Sequence, residues 1–251
     1  MGEDNVKALN IESESMKKLI FAVCAILLCL IGAWIAVGRY TMATHADKIW
    51  TRESDTLACS PADAGYYCVD VYVKADGTPM LMRSSDTTDV VPIDSYLRYL
   101  GKEPQGKLWM RLHGLTDDNM MRFVQSFGNM GWECGVRDSQ FILESSDWAL
   151  LGSLTKHRLC VAYHLVADDP SVLTERQKDS VVTRLDRVVE SDRVSAIDMP
   201  RSWYGILRRQ YRNRDVRFLV RVPGRSPWHM TCSPATWRVL RDQQVRGIVE
   251  E

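Results

Sequence analysis

From residue 48 to residue 249 the chain repeats one pattern, a short strand followed by an amphipathic helix. Strand-like runs fall at 48–53, 67–74, 107–113, 141–144, 158–165, 194–199, 216–222 and 245–249, and helical stripes lie between most of them. At 92–100, Pro92 suits a first helical position, and Ile93, Tyr96, Leu97 and Leu100 form an apolar stripe. Thr116 is placed to cap a helix whose first turn holds Asp117 and Asp118, with Met120, Met121, Val124 and Phe127 as its buried side. Ser146 can cap a helix starting at Asp147 or Trp148. The longest helix, 172–190, repeats Val181, Val182, Leu185, Val188 and Val189. Later stripes run through Trp203, Ile206, Leu207 and Tyr211 and, after the start signal Ser233-Pro234, through Trp237 and Leu240.

Eight strands so separated, in about two hundred residues, match a (β/α)8 TIM barrel at the small end of its range. A doubly wound open sheet is the competitor, and the strand faces decide between them. Strands buried between two helix layers should be apolar throughout. Here Trp109, Arg111 and His113 oppose Met110 and Leu112. Cys160, Ala162 and His164 oppose Val161, Tyr163 and Leu165, and Arg217, Leu219 and Arg221 oppose Phe218, Val220 and Val222. Asp70, Glu144 and Asp198 fit the same scheme. A barrel accounts for this, because one strand face meets helices and the other meets an interior whose upper end can be polar.

Ahead of the barrel, Lys17 and Lys18 precede an uncharged run, 19–37, of 19 residues. A spanning helix needs roughly 20. The domain plan is a cytoplasmic tail at 1–18, a transmembrane signal anchor at 19–37, a connector at 38–47 and the barrel at 48–251. The lysine pair predicts the tail inside and the barrel on the exported side of a cytoplasmic membrane. A cleaved signal peptide has a shorter apolar core, and Ala43 offers it a cleavage site.

Thirty-two basic residues balance thirty-two acidic ones, so no global charge favours nucleic acid as a partner. Of seven cysteines, Cys59, Cys68, Cys134, Cys160 and Cys232 fall on the exported side, where disulfides persist. Proximity nominates Cys59–Cys68, and buried free thiols are the other reading. No CxxC or Cys/His zinc spacing occurs, and no cofactor is implied.

Polar residues near strand ends are the site candidates, since barrel sites sit at the C-terminal face. They are Arg52 and Glu53, Asp70, Arg83, Arg111 and His113, Glu144, His164, Asp198 and Arg201, and Arg221, with Trp228-His229 as a further lining candidate. Several arginines with a few acids suit a phosphate, sulfate or carboxylate, which a guanidinium grips through paired hydrogen bonds. The bland alternative is an internal salt-bridge network that binds nothing.

The stretch 67–83 resembles the glycerophosphodiester phosphodiesterase superfamily, and more closely its menorin-related branch. It reads Tyr67-Cys68-Val69-Asp70-Val71-Tyr72, then Asp76-Gly77-Thr78-Pro79, then Met80-Leu81-Met82-Arg83. The run 108–115 resembles the branch's next strand, and the likeness extends over 48–251. That superfamily carries His-Arg on an early strand, Glu-x-Asp on the next, a turn like Asp-Gly-x-Pro, and a strand ending in His. Here Thr51 stands at the first histidine, beside a matching Arg52. Cys68 stands for the Glu, Asp70 matches, and Arg83 replaces the second histidine. Arg111 and His113 occupy the usual acid and lysine. Asp70 alone is a poor holder of a divalent cation, which wants six or more oxygens.

With those departures, the resemblance implies a catalytically degenerate domain that binds an anionic, phosphoryl-type ligand, a lipid head group or a protein partner at the cell envelope. The alternative is a metal-independent phosphodiesterase in which Arg111 and Arg83 hold the phosphoryl oxygens, His113 is the acid/base and Asp70 orients it. Arg52, Glu144, His164, Asp198 and Arg221 then line the ligand. The third reading is a structural envelope protein with no ligand.

Overall fold

The computed structural model describes residues 3–52, 65–84, 86–191, 193–223 and 232–250, with side chains from residue 16 onward except at 51, 52 and 250. Two compact units emerge, one built on the N-terminal helix and one on His45–Gly224 with Arg238–Glu251. In the first, helix α1 runs Glu3–Thr44, and its segment Met16–Thr44 is long and apolar enough to cross a membrane. The connector expected at 38–47 is therefore mostly helix. Gly38 is the only breaker in it, and one glycine costs a helix about 1 kcal/mol.

The second unit is a curled sheet. Its strands are β1 (Ile49–Arg52), β2 (Tyr66–Val73), β3 (Pro79–Met82), β4 (Val90–Pro92), β5 (Lys107–His113), β6 (Phe141–Ser145), β7 (Val161–His164), β8 (Ala196–Pro200), β9 (Arg217–Val222) and β10 (Val245–Glu250). The parallel pairings run β1-β2-β5-β6-β7-β8-β9-β10 and return to β1, so the sheet closes on itself as in a TIM barrel. The short β3–β4 pair is extra. Among the described residues, β1 pairs with β2 at Tyr67 and Cys68, and β3 pairs with the same strand further along, at Val71, Tyr72 and Val73.

Among the described residues, six helices alternate with the ring strands: α2 (Asp94–Lys102), α3 (Asp117–Cys134), α4 (Trp148–Thr155), α5 (Glu175–Glu190), α6 (Arg201–Gln210) and α7 (Pro234–Arg241). Pro92 proves to be the end of β4, opposite Met80, and α2 starts at Asp94. Proline is tolerated there because β4 is an edge strand that needs no inner N–H. Asp147, not Ser146, caps α4, accepting from the Ala149 and Leu150 amides. On α3 the buried stripe is Asn119, Phe123, Phe127 and Gly131, at strict i+4 spacing, and Met121 is exposed. Phe123 commands the core side, and that turns Met121 away.

Inside the ring lies an apolar layer with one residue from each of the eight ring strands: Trp50, Cys68, Trp109, Ile142, Ala162, Ala196, Leu219 and Val249. Each is at most 3% exposed. Gly247 makes room for it, since a Cβ there would strike the Trp50 indole. Cys68 is a free thiol in this layer, so the Cys59–Cys68 pairing does not hold. A cysteine whose side chain fills a barrel interior is not available to a loop. Cys59 itself, with Glu53 and Trp228-His229, lies outside the described residues.

Candidate functional site

Side chains two residues apart on a strand share a face. Two residues beyond the apolar layer, six strands carry Asp70, Arg111, Glu144, His164, Asp198 and Arg221. The polar residues expected at the mouth thus form one charged layer stacked on the apolar one. His113 stands two residues further along β5.

Glu144 and Asp198, both fully buried, are the acceptors of this layer. Arg111 Nε donates to Glu144 Oε1 at 2.6 Å, and the Trp109 indole N–H donates to Glu144 Oε2. His164 Nδ1 lies 2.8 Å from Glu144 Oε1 and 2.6 Å from Asp198 Oδ2. Arg221 Nε approaches Asp198 Oδ2 at 3.0 Å, while its Nη2 donates to the Leu165 carbonyl. Arg111 extends between the acids, with Nη1 4.0 Å from Asp70 Oδ1 and Nη2 3.9 Å from Asp198 Oδ2. Nearer solvent, His113 Nε2 donates to Asp70 Oδ1 at 2.9 Å, and the His113 side chain is 40% exposed.

The electrostatics follow from burial and these pairings. Burial works to lower the His164 pKa, but its bonds to Asp198 and Glu144 outweigh burial and raise it. Burial works to raise Glu144, and His164 and Arg111 hold it below the ordinary range. Asp198 is pushed up to about 6 by burial and by the Glu144 charge, against the pull of His164 and Arg221. Arg111 stays charged: burial opposes this, and Glu144 and Asp198 override it. Burial, then the Glu144 charge, drives the Cys68 thiol well up, so it is no thiolate. A proton on His164, with Arg111 and Arg221, balances Asp70, Glu144 and Asp198 charge for charge.

A divalent cation, implied by the resemblance, does not fit these residues. Cys68 and Arg111 occupy two positions where carboxylates would be needed. Glu144, His164 and Asp198 each offer one ligand atom, all within 4.8 Å of one another. Around a tetrahedral ion with bonds of roughly 2.0–2.1 Å such atoms stand about 3.3 Å apart. Here His164 Nδ1 sits at hydrogen-bond distance from both acids, and two guanidiniums hold the same oxygens. Adding two positive charges would leave the layer with an uncompensated excess.

Arg83 does not join the group. It follows β3, outside the ring, and its side chain is exposed. Arg52 lies on the β1 backbone, and its side chain is outside the described ones. Sequence reasoning missed Trp109 as a donor and the apolar layer that Trp109 and Cys68 share. The i+2 offset between the two layers was the signal for both.

No protein-family profile matches the chain, and no curated protein matches it in sequence. The likeness to known proteins lies in the fold. A glycerophosphodiester phosphodiesterase from Parabacteroides distasonis superposes with a TM-score of 0.54 at 11% identity, over 81% of this chain and 93% of its own. A phosphodiesterase from Oleispira antarctica, solved with its product sn-glycerol-3-phosphate, gives 0.53 at 9% identity, over 81% and 92%. A Silicibacter pomeroyi protein assigned to the glycerophosphoryl diester phosphodiesterases gives 0.54 at 14%, over 81% and 89%. The chain has the TIM-barrel-like fold of that group.

Proposed function

We propose that the charged mouth binds the phosphoryl group of a glycerol- or lipid-derived phosphoester, without a divalent cation and without turnover, in a domain held at a membrane by α1. The observation that carries this is Arg111 Nη2. It is a buried guanidinium nitrogen with no hydrogen-bond acceptor among the described residues, on the strand that also carries His113. Leaving such a donor unmet costs about 1–3 kcal/mol, and a phosphoryl oxygen would meet it. The fold likeness to phosphodiesterases, one of them solved with a glycerol phosphate, supports the ligand class.

The His113–Asp70 bond favours a second reading, metal-independent hydrolysis. With Nε2 donating to Asp70, the His113 Nδ1 can accept a proton from a water attacking phosphorus and return it to the leaving alkoxide, giving a phosphomonoester and an alcohol. Such help is worth about 10²–10⁴-fold. The test is to incubate the protein with glycerophosphodiesters and inositol phosphodiesters, with and without chelator, and to assay both binding and phosphomonoester release. Binding without release supports the first reading. Release that survives chelator and vanishes in His113→Ala installs the second. Release abolished by chelator overturns both.

A further inference from the structure

We propose a second anion site on the β8–β9 side of the rim, taking a phosphoryl group. A cavity of about 490 Å³ opens there, lined by Asp169, Pro200, Arg201, Ser202, Arg221 and Pro223. Two guanidiniums reach it from different elements. Arg221 comes from β9 and is 10% exposed, fixed in place by Asp198 and the Leu165 carbonyl. Arg201 opens α6, is half-buried, and pairs with no carboxylate among the described residues.

The lining contains one acid, Asp169. It already accepts from the Ser171 amide at 2.8 Å and the Ser171 hydroxyl at 2.6 Å, and the Ser202 hydroxyl bonds to it as well. Arg221 is already balanced by Asp198, so Arg201 is the uncompensated charge, facing one engaged acid across an open cavity. A phosphoryl group answers this arrangement better than a carboxylate, because its three terminal oxygens can take a fork from each arginine at once.

The start of α6 adds to the argument without carrying it. Its N-cap is Pro200, with no capping side chain, and its first turn holds a base and no acid. Helix starts favour acids, so Arg201 is a local conflict that a bound anion resolves. The site uses neither Arg111 nor His113 and shares only Arg221 with the charged layer, so Arg201 is the residue that tests it apart from the reading above.

The test uses the full chain in phosphatidylcholine nanodiscs, titrated with inorganic phosphate by calorimetry. Saturable binding is expected. Arg201→Ala should weaken it about tenfold or more, the effect of one charge-assisted hydrogen bond. Arg201→Lys, which keeps the charge, should weaken it less. Repeating the titration in discs containing phosphatidylglycerol separates the sources. A weaker apparent phosphate affinity there identifies a lipid head group as the occupant, and an equal affinity identifies a soluble ligand. Absence of saturable phosphate binding, or binding indifferent to Arg201→Ala and Arg201→Lys alike, overturns the site.

Discussion

Glu144 is bound at both oxygens, by Arg111 and His164 on one and by Trp109 on the other. Removing it leaves a buried guanidinium and a buried imidazolium with one acid fewer. Breaking such a pair costs about 3–5 kcal/mol, so Glu144→Ala should lower the unfolding free energy measured by denaturant titration by that much. A loss below about 1 kcal/mol would show that the layer relaxes into water. pH tests the same groups. The raised His164 pKa contributes stability that is complete below the unfolded value of 6.5 and is lost as pH rises through the folded value. Asp198, raised from 3.8 to about 6, acts in the same sense across that lower window. Glu144, lowered from 4.5, acts oppositely, its share being lost as pH falls. Unfolding midpoints should therefore decline above pH 6.5, and His164→Asn should flatten the decline. An unchanged slope in that variant would remove His164 from the account. At this scale the sequence showed which side chains face inward, because strand alternation is strict. It did not show who pairs with whom. Arg111 has an acid directly opposite on each side, Asp70 across β2–β5 and Glu144 across β5–β6, and side-chain reach decides that it bonds Glu144.

Among the elements, α3 sets the height of the mouth. Its Asn119 side chain accepts from the Thr116 amide and donates to the carbonyls of Lys74 and Gly114, just past the ends of β2 and β5. These strands bear Asp70 and His113. Asn119→Asp keeps the helix cap and loses both donors, so it should cost about 1–3 kcal/mol. The His113 ring resonances should also shift in its NMR spectrum. A variant as stable as the parent would mean that water replaces the amide. Gly77 belongs to the same junction: its φ is +86°, and a Cβ there would lie 2.5 Å from the Phe123 amide nitrogen. The Asp76-Gly77 turn was legible from its residues, and β5 was legible to its boundaries from alternation alone. β4 was not. Proline's fixed φ suits an edge strand and a first helical turn equally, and only Met80 across the sheet settles which.

For the molecule as a whole, a layer whose charges balance without metal should be indifferent to its removal. Thermal unfolding in chelator and in added calcium should coincide; a chelator-induced drop would locate an ion the residues do not advertise. The span Met16–Thr44 is 29 residues, about 44 Å of helix, against a hydrocarbon core of about 30 Å. The full chain should therefore stay with the membrane through an alkaline wash; release by that wash would end the anchor reading. Eight alternating strand patterns foretold a closed ring, but not that β3 would borrow the upper edge of β2. That closure also sets an order of events. β1 sits between β2 and β10, so the first strand of the barrel made on the ribosome waits for the last. Until residues 245–250 emerge, the nascent sheet has a bare edge and an open apolar centre, which calls for a holding chaperone. A frameshift just before residue 245 would remove a seam of the barrel.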